Sequence, residues 1–173
     1  TLADSSGKIP DGVISAIKYF MSEGGRFTVC TGRIYQGFHL YSEAYINAPV
    51  LLGNGAMAYD YRNKSVIFND AIGDEGIPAV EDVLSHFPSV AVETYNFDTV
   101  CSINACEDSI HHFTSQGIDF TRISDPKDAP RPWTKVMIYA HGCSSDVQKL
   151  LDGHGEVNYL RTTGDYIEIL KKG

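Results

Sequence analysis

Arg26-Phe27-Thr28-Val29-Cys30-Thr31-Gly32-Arg33 joins a short strand to a turn. Residues 26–30 read as the strand, Thr31-Gly32-Arg33 turns the chain, and residues 34–45 read as a helix. Upstream, Val13, Ile14, Ile17, Phe20 and Met21 recur at helical spacing over residues 10–23. Pro10 suits a first turn and Gly24-Gly25 ends that segment. Downstream, residues 49–52 form a fully apolar strand, as expected in a parallel sheet covered on both faces. Helix, strand, helix, strand contains the βαβ unit of an α/β fold.

The Thr31-Gly32-Arg33 turn lies where a buried strand ends and a helix begins. The first amides of a helix lack intrahelical partners and carry partial positive charge. A Thr hydroxyl, a Gly that admits close backbone approach and an Arg together suit an oxyanion such as phosphate. The same residues also read as an ordinary helix N-cap with a surface Arg. Thr31 and Gly32 are the candidate phosphate-binding residues, and Arg33 is a candidate substrate contact. Gly53-Asn54-Gly55-Ala56-Met57-Ala58 matches G-x-G-x-x-A, but that dinucleotide fingerprint requires a helix directly afterward. Here the next residues alternate and include Tyr59, Tyr61, Val66, Ile67 and Phe68. A hairpin over 56–61 and 64–68, turning at Arg62-Asn63, is expected instead, and NAD binding is rejected. Asn54 stays a substrate-binding candidate, because it stands at a strand's C-terminal edge, where open α/β sheets hold ligands.

Beyond Asp70 the pattern changes. Helices are expected at 78–87, 108–116 and 144–151, the last capped by Ser144 or Ser145. Strands are expected at 89–94, 99–105, 119–123, 133–140, 156–161 and 165–170. Between them, 125–132 is a Pro-rich loop. This mixture predicts an α+β unit with an antiparallel sheet. The expected fold class is α/β, with a second, α+β unit.

A chain of 173 residues makes about one domain, or one domain with an insertion. Its 43% hydrophobic and 21% charged residues are ordinary globular composition. The net charge of −8 argues against nucleic-acid binding, because an acidic surface repels a phosphate backbone. Local donors still allow a small phosphorylated substrate. No apolar run reaches the roughly 18 residues of a membrane span, and no basic-then-apolar leader is visible. A cytoplasmic location is expected. Cys30, Cys101, Cys106 and Cys143 form no C-x-x-C pair and read as reduced, mostly buried thiols. Cys101 and Cys106 are expected on opposite faces of one strand. His39, His86, His111, His112, His141 and His154 include no H-E-x-x-H, so metal binding by them is not expected. No G-x-S-x-G elbow occurs, and Cys143 reads as structural. The sequence sets no oligomeric state.

Taken in order, these pieces resemble the Cof-type (type IIB) phosphatases of the haloacid dehalogenase-like superfamily. Members open with D-x-D-G-T-L at the end of the first strand, and Thr1-Leu2 looks like its last two letters. A helix follows, then a strand ending in S/T-G-R, matched by Thr31-Gly32-Arg33. The next strand ends in N-G-A, matched by Asn54-Gly55-Ala56. An inserted cap then closes on a segment like E-I-x-P-K-G. Glu168-Ile169-Leu170-Lys171-Lys172-Gly173 is similar, with Lys171 in place of the usual Pro. The resemblance covers essentially the whole chain.

The resemblance implies a Mg2+-dependent phosphatase of small phosphorylated metabolites, sugar phosphates or similar, working through an aspartyl-phosphate. It implies that the nucleophilic and acid/base Asp residues precede Thr1, that a Lys follows Gly173, and that an acidic Mg2+ motif lies further on. The chain is then a fragment, inactive alone. Thr31 would hydrogen-bond the transferring phosphoryl group with the Gly32 amide, Arg33 would position the loop or touch substrate, and Asn54 would line the crevice. The fold it implies is α/β, a partial Rossmann-like core with an inserted α+β cap domain: residues 1–70 would be the partial core, 71–164 the cap and 165–173 a return strand to the core. Cap residues in the 125–132 loop or near Tyr95-Asn96-Phe97 are expected to meet substrate. The alternative is a non-catalytic module binding a phosphate ligand or a partner through exposed sheet edges. Missing carboxylates favour it; the apolar face it would leave uncovered weighs against it.

Overall fold

The computed structural model describes residues 2, 4, 8–38, 45–162 and 164–173; Thr1 of the D-x-D-G-T-L match lies outside them. A three-stranded antiparallel sheet runs in the order β1 (Val50–Leu52), β2 (Met57–Asp60), β3 (Ser65–Asn69). Helix α1 (Asp11–Ser22) precedes it and buries Ile17. Residues 26–30 run parallel to β1: the Leu51 amide donates to the Val29 carbonyl at 3.0 Å, and the Thr31 amide donates to the Leu51 carbonyl at 2.9 Å. Of the strand expected over residues 26–30, only one parallel bridge forms, between Cys30 and Leu51; the rest of that stretch is extended without ladder pairing. Helix α2 covers Tyr35–Phe38; the rest of the helix expected to residue 45 falls largely on 39–44, outside the described residues.

A six-stranded sheet holds the rest. Its order is β6 (Thr121–Arg122), β5 (Val100–Ile103), β4 (Ala91–Tyr95), β7 (Lys135–Tyr139), β9 (Tyr166–Lys171), β8 (Val157–Arg161), antiparallel except between β5 and β6. Val92, Val136, Ile138, Ile167 and Ile169 form one face. Helices α3 (Ile77–His86) and α5 (Ser144–Leu151) cover it with Val80, Val83, Val147 and Leu151. Each such fully buried side chain contributes about 1.5–3 kcal/mol. The opposite face is different. Register puts Glu93 beside Ser102 and Met137, and Met137 beside Glu168. Helix α4 (Glu107–Gln116) lays Phe113 on this second face, in one cluster with Tyr95, Met137 and Tyr139. Ile34, just after the Thr31-Gly32-Arg33 turn, joins that cluster and so packs the smaller sheet region onto the larger.

Three expectations are corrected. Residues 165–173 do not return to the three-stranded sheet: β9 pairs with β7 and β8, because its Ile167 and Ile169 complete the apolar face under α5. Cys106 does not share a strand with Cys101. β5 stops at Ile103, and Cys106 begins α4 as its N-cap residue. Ser144 and Ser145 do not cap α5. Cys143 occupies that position, and the Ser144 hydroxyl donates to Asp165 Oδ1 at 2.7 Å instead. At the junction of the two sheets, Ile72 and Trp133 exchange two backbone hydrogen bonds of 2.7 Å, and Lys171 pairs with Asp70 at 2.9 Å.

Candidate phosphate-binding site

Two strand-end loops lie side by side. The Asn54 amide donates to the Thr31 carbonyl at 3.1 Å, and the Gly53 amide donates to the Arg33 carbonyl at 2.9 Å. Gly53, Asn54 and Gly55 all have left-handed backbone, with φ of 56°, 59° and 96°. Gly adopts that region freely, and Asn tolerates it better than most side chains. A Cβ on Gly32 would stand 2.7 Å from Asn54 Oδ1, so a larger residue there must displace the Asn54 side chain from its place over the loop. Thr31 Oγ1 accepts from the Arg33 amide at 3.2 Å. That hydroxyl, engaged as an acceptor, keeps its proton for another oxygen. Because α2 starts at Tyr35, Thr31 is not its N-cap, and the capping interpretation fails. Arg33 and Thr31 border a cavity of about 610 Å³ that Asp4 and Cys30 also line.

The six-stranded sheet brings buried charges to these loops. Lys135 Nζ donates to the Gly32 carbonyl at 3.1 Å, pairs with Glu168 at 3.3 Å and stands 5.3 Å from the centre of the Tyr95 ring. Asn54 Nδ2 donates to the other oxygen of Glu168. Lys135 and Glu168 are only 4% and 7% exposed. A buried ion pair is tolerated only when further hydrogen bonds satisfy both partners, as here. Behind them, fully buried Glu93 accepts the Tyr95 hydroxyl, and His112 Nδ1 lies 3.3 Å from the same carboxylate. Burial first, and the Glu93 charge second, lift the Tyr95 and Tyr139 phenols well above their ordinary range, so both remain neutral donors.

The four residues marked by sequence thus meet: Thr31, Gly32 and Arg33 in one loop, Asn54 in the next. Sequence reasoning missed Lys135, Glu168 and Glu93. The signal for them was faint: one charge inside each of three otherwise strand-forming runs. Tyr95-Asn96-Phe97 does reach the junction. Tyr95 lies beside Lys135, and the Phe97 ring packs 4.5 Å from Tyr35 and 5.8 Å from Tyr59. The 125–132 loop reaches it only at its end, where the Pro132 carbonyl accepts from Asn96 Nδ2 at 3.0 Å; Arg131 pairs with Asp74 at 2.6 Å, and Lys127 pairs with Glu81 of α3, which covers the other face of the sheet. Among the described residues no group of three His, Cys, Asp or Glu side chains is placed to hold a metal ion. They do not by themselves fit a Mg2+ site.

The family model described as haloacid dehalogenase-like hydrolase matches residues 1–173. A search of the curated proteins finds no match. Among solved structures, a haloacid dehalogenase-like hydrolase from Bacteroides thetaiotaomicron superposes with a TM-score of 0.83 at 16% identity, over 100% of this chain and 68% of its own. A HAD subclass IIB sugar phosphatase gives 0.81 at 17% identity, over 100% and 67%. A second Bacteroides thetaiotaomicron protein, a phosphatase of the haloalkanoate (HAD) superfamily, gives 0.80 at 18% identity, over 100% and 64%. The chain therefore spans about two thirds of the length of these structures and shares their fold. No described helix is long and apolar enough to cross a membrane. With the α/β architecture, the paired loops and the match along its whole length, the chain belongs to the haloacid dehalogenase-like hydrolases.

Proposed function

We propose that this chain supplies the phosphate-holding loops and the lid of a cytoplasmic phosphatase acting on small phosphorylated metabolites, sugar phosphates first among them. One observation carries this reading. The buried Lys135–Glu168 pair of the six-stranded sheet touches the two loops, at Gly32 and Asn54, that hold the sequence-marked residues. A lid that meets the phosphate loop through hydrogen-bonded charges seals the site from water and orients the bound phosphate ester. The Thr31 hydroxyl donates to the phosphoryl oxygens, the Gly32 amide faces the same anion, and Arg33 and Asn54 line the approach. Residues 71–164 form the body of the lid, with β9 as one of its strands. In this reading the nucleophilic carboxylates and Mg2+ of the intact enzyme come from outside these 173 residues, and the chain alone does not turn over. The fold shared with a HAD subclass IIB sugar phosphatase supports the substrate class.

The test is phosphate release by the intact protein with Mg2+ over a panel of sugar phosphates. Turnover is expected, and Thr31→Ala is expected to reduce kcat roughly 100-fold with the fold intact, the usual effect of deleting one transition-state donor. An intact protein that hydrolyses no phosphomonoester favours the non-catalytic module instead.

A further inference from the structure

We propose that Lys135 is a positioning residue that couples docking of the six-stranded sheet to the readiness of the Thr31 hydroxyl. The activity it serves rests on the phosphatase reading; the coupling itself rests on geometry. The Gly32 carbonyl and the Arg33 amide belong to one peptide unit. Lys135 Nζ donates to its oxygen at 3.1 Å, and its N–H donates to Thr31 Oγ1 at 3.2 Å. A charge-assisted bond at the oxygen polarises the unit and strengthens the N–H as a donor. The stronger that donor, the more firmly the Thr31 lone pair is occupied and its proton directed outward, toward a bound oxyanion.

Lys135 is held for this task. Glu168 pairs with it at 3.3 Å and at the same time accepts from Asn54 of the second loop. The Tyr95 ring lies 5.3 Å from the ammonium, and the side chain is 5% exposed, so water offers it little competition. The bond to Gly32 crosses from β7 to the 31–33 loop, so it exists only while the two sheets are docked. An ion pair serving stability alone would need Glu168 and nothing from the loop.

The experiment uses the intact protein with Mg2+ and p-nitrophenyl phosphate. Lys135→Met is expected to lower kcat roughly 10- to 100-fold with KM little changed, because a mis-set donor costs rate more than binding. Lys135→Arg, which keeps the charge, is expected to recover part of the loss. In a Thr31→Ala background, Lys135→Met should cost less than about twofold more, since residues acting as one unit are non-additive. Losses that multiply would overturn the coupling. Should Lys135→Met fail to fold, Lys135→Met with Glu168→Gln removes both charges and leaves no lone buried carboxylate. A readout free of turnover is the Arg33 amide resonance. Lys135→Arg should move it, and an unmoved Arg33 amide overturns the proposal. A moved amide in a protein that hydrolyses nothing upholds the coupling and sinks the phosphatase reading alone.

Discussion

Gly32 leaves the space in which Asn54 sits. A methyl group there would stand 2.7 Å from Asn54 Oδ1, so Gly32→Ala must push the Asn54 amide away and loosen its bond to Glu168. A destabilisation of about 1–3 kcal/mol is expected, with a loss of turnover in the intact protein. Gly12→Ala, in open space on α1, is the matched control. Equal melting temperatures for both variants would show that Asn54 is not held over the loop. A second residue-scale effect is acid sensitivity. Ser144 Oγ donates to Asp165 at 2.7 Å and the Gly142 amide at 3.2 Å, and these bonds, Ser144 first, hold the carboxyl below its ordinary 3.8. A depressed folded value stabilises the protein above that pH and stops doing so as pH falls through it. Ser144→Ala should therefore melt lower than the parent at pH 7, and the gap should close as pH drops below about 3.8. A gap of constant size in melting scans across that window would assign the loss to packing.

At the scale of elements, periodicity was informative where one face is wet and poor where neither is. The run 144–151 became α5 as read, because Val147 and Leu151 recur at helical spacing and bury. β4 and β7 are buried at every position, so no period-2 alternation separates a core face from a solvent face. Glu93 and Lys135 consequently look, in sequence, like ordinary charged positions on a half-solvated strand. Residues 165–170 were legible as a strand and not as to partner, because alternation along one segment carries no information about its neighbour. The Thr31 and Asn54 loops were legible because Gly-rich turns after apolar strands are local features. Their buried partners, Lys135 for Gly32 and Glu168 for Asn54, lie 103 and 114 residues later in the chain, beyond any local pattern. Trp133 tests how firmly these elements are joined. It is fully buried, exchanges two backbone bonds with Ile72 and packs near Gly76. Trp133→Ala should cost about 3–5 kcal/mol. The buried Trp133 Nε1 has no hydrogen-bond partner among the described residues, so Trp133→Phe should cost less than about 1.5 kcal/mol, the smaller volume being offset by removal of that donor. Circular-dichroism melts that rank Phe below Ala would contradict this packing.

Over the whole molecule, stability is unevenly spread. The six-stranded sheet has its own two-sided core, with β4, β7 and β9 each flanked by strands on both edges. The hairpin leading to it does not: every residue from Arg62 to Asp70 is exposed, and β3 pairs with β2 along one edge only. Local opening follows few buried contacts and exposed backbone bonds, so protease access should begin there. Arg62 and Lys64 are the trypsin sites in that hairpin, and both lie in its turn. Brief digestion should cut after one or both and leave the portion beyond residue 64 with β4, β7 and β9 uncut, since Ile72–Trp133 and Asp70–Lys171 tie its two ends to the sheet region. Lys135 is the informative site within that portion. Its backbone is inside a central strand and its ammonium is sealed between Glu168 and the Gly32 carbonyl. Cleavage after Lys135 requires the sheet to open, so it should lag the hairpin cuts and quicken in Glu168→Gln, which removes the carboxylate charge that holds the side chain. Mass spectra showing a Lys135 cut as early as those at Arg62 and Lys64 would mean that the six-stranded sheet is not the stable body against which the phosphate loop is set.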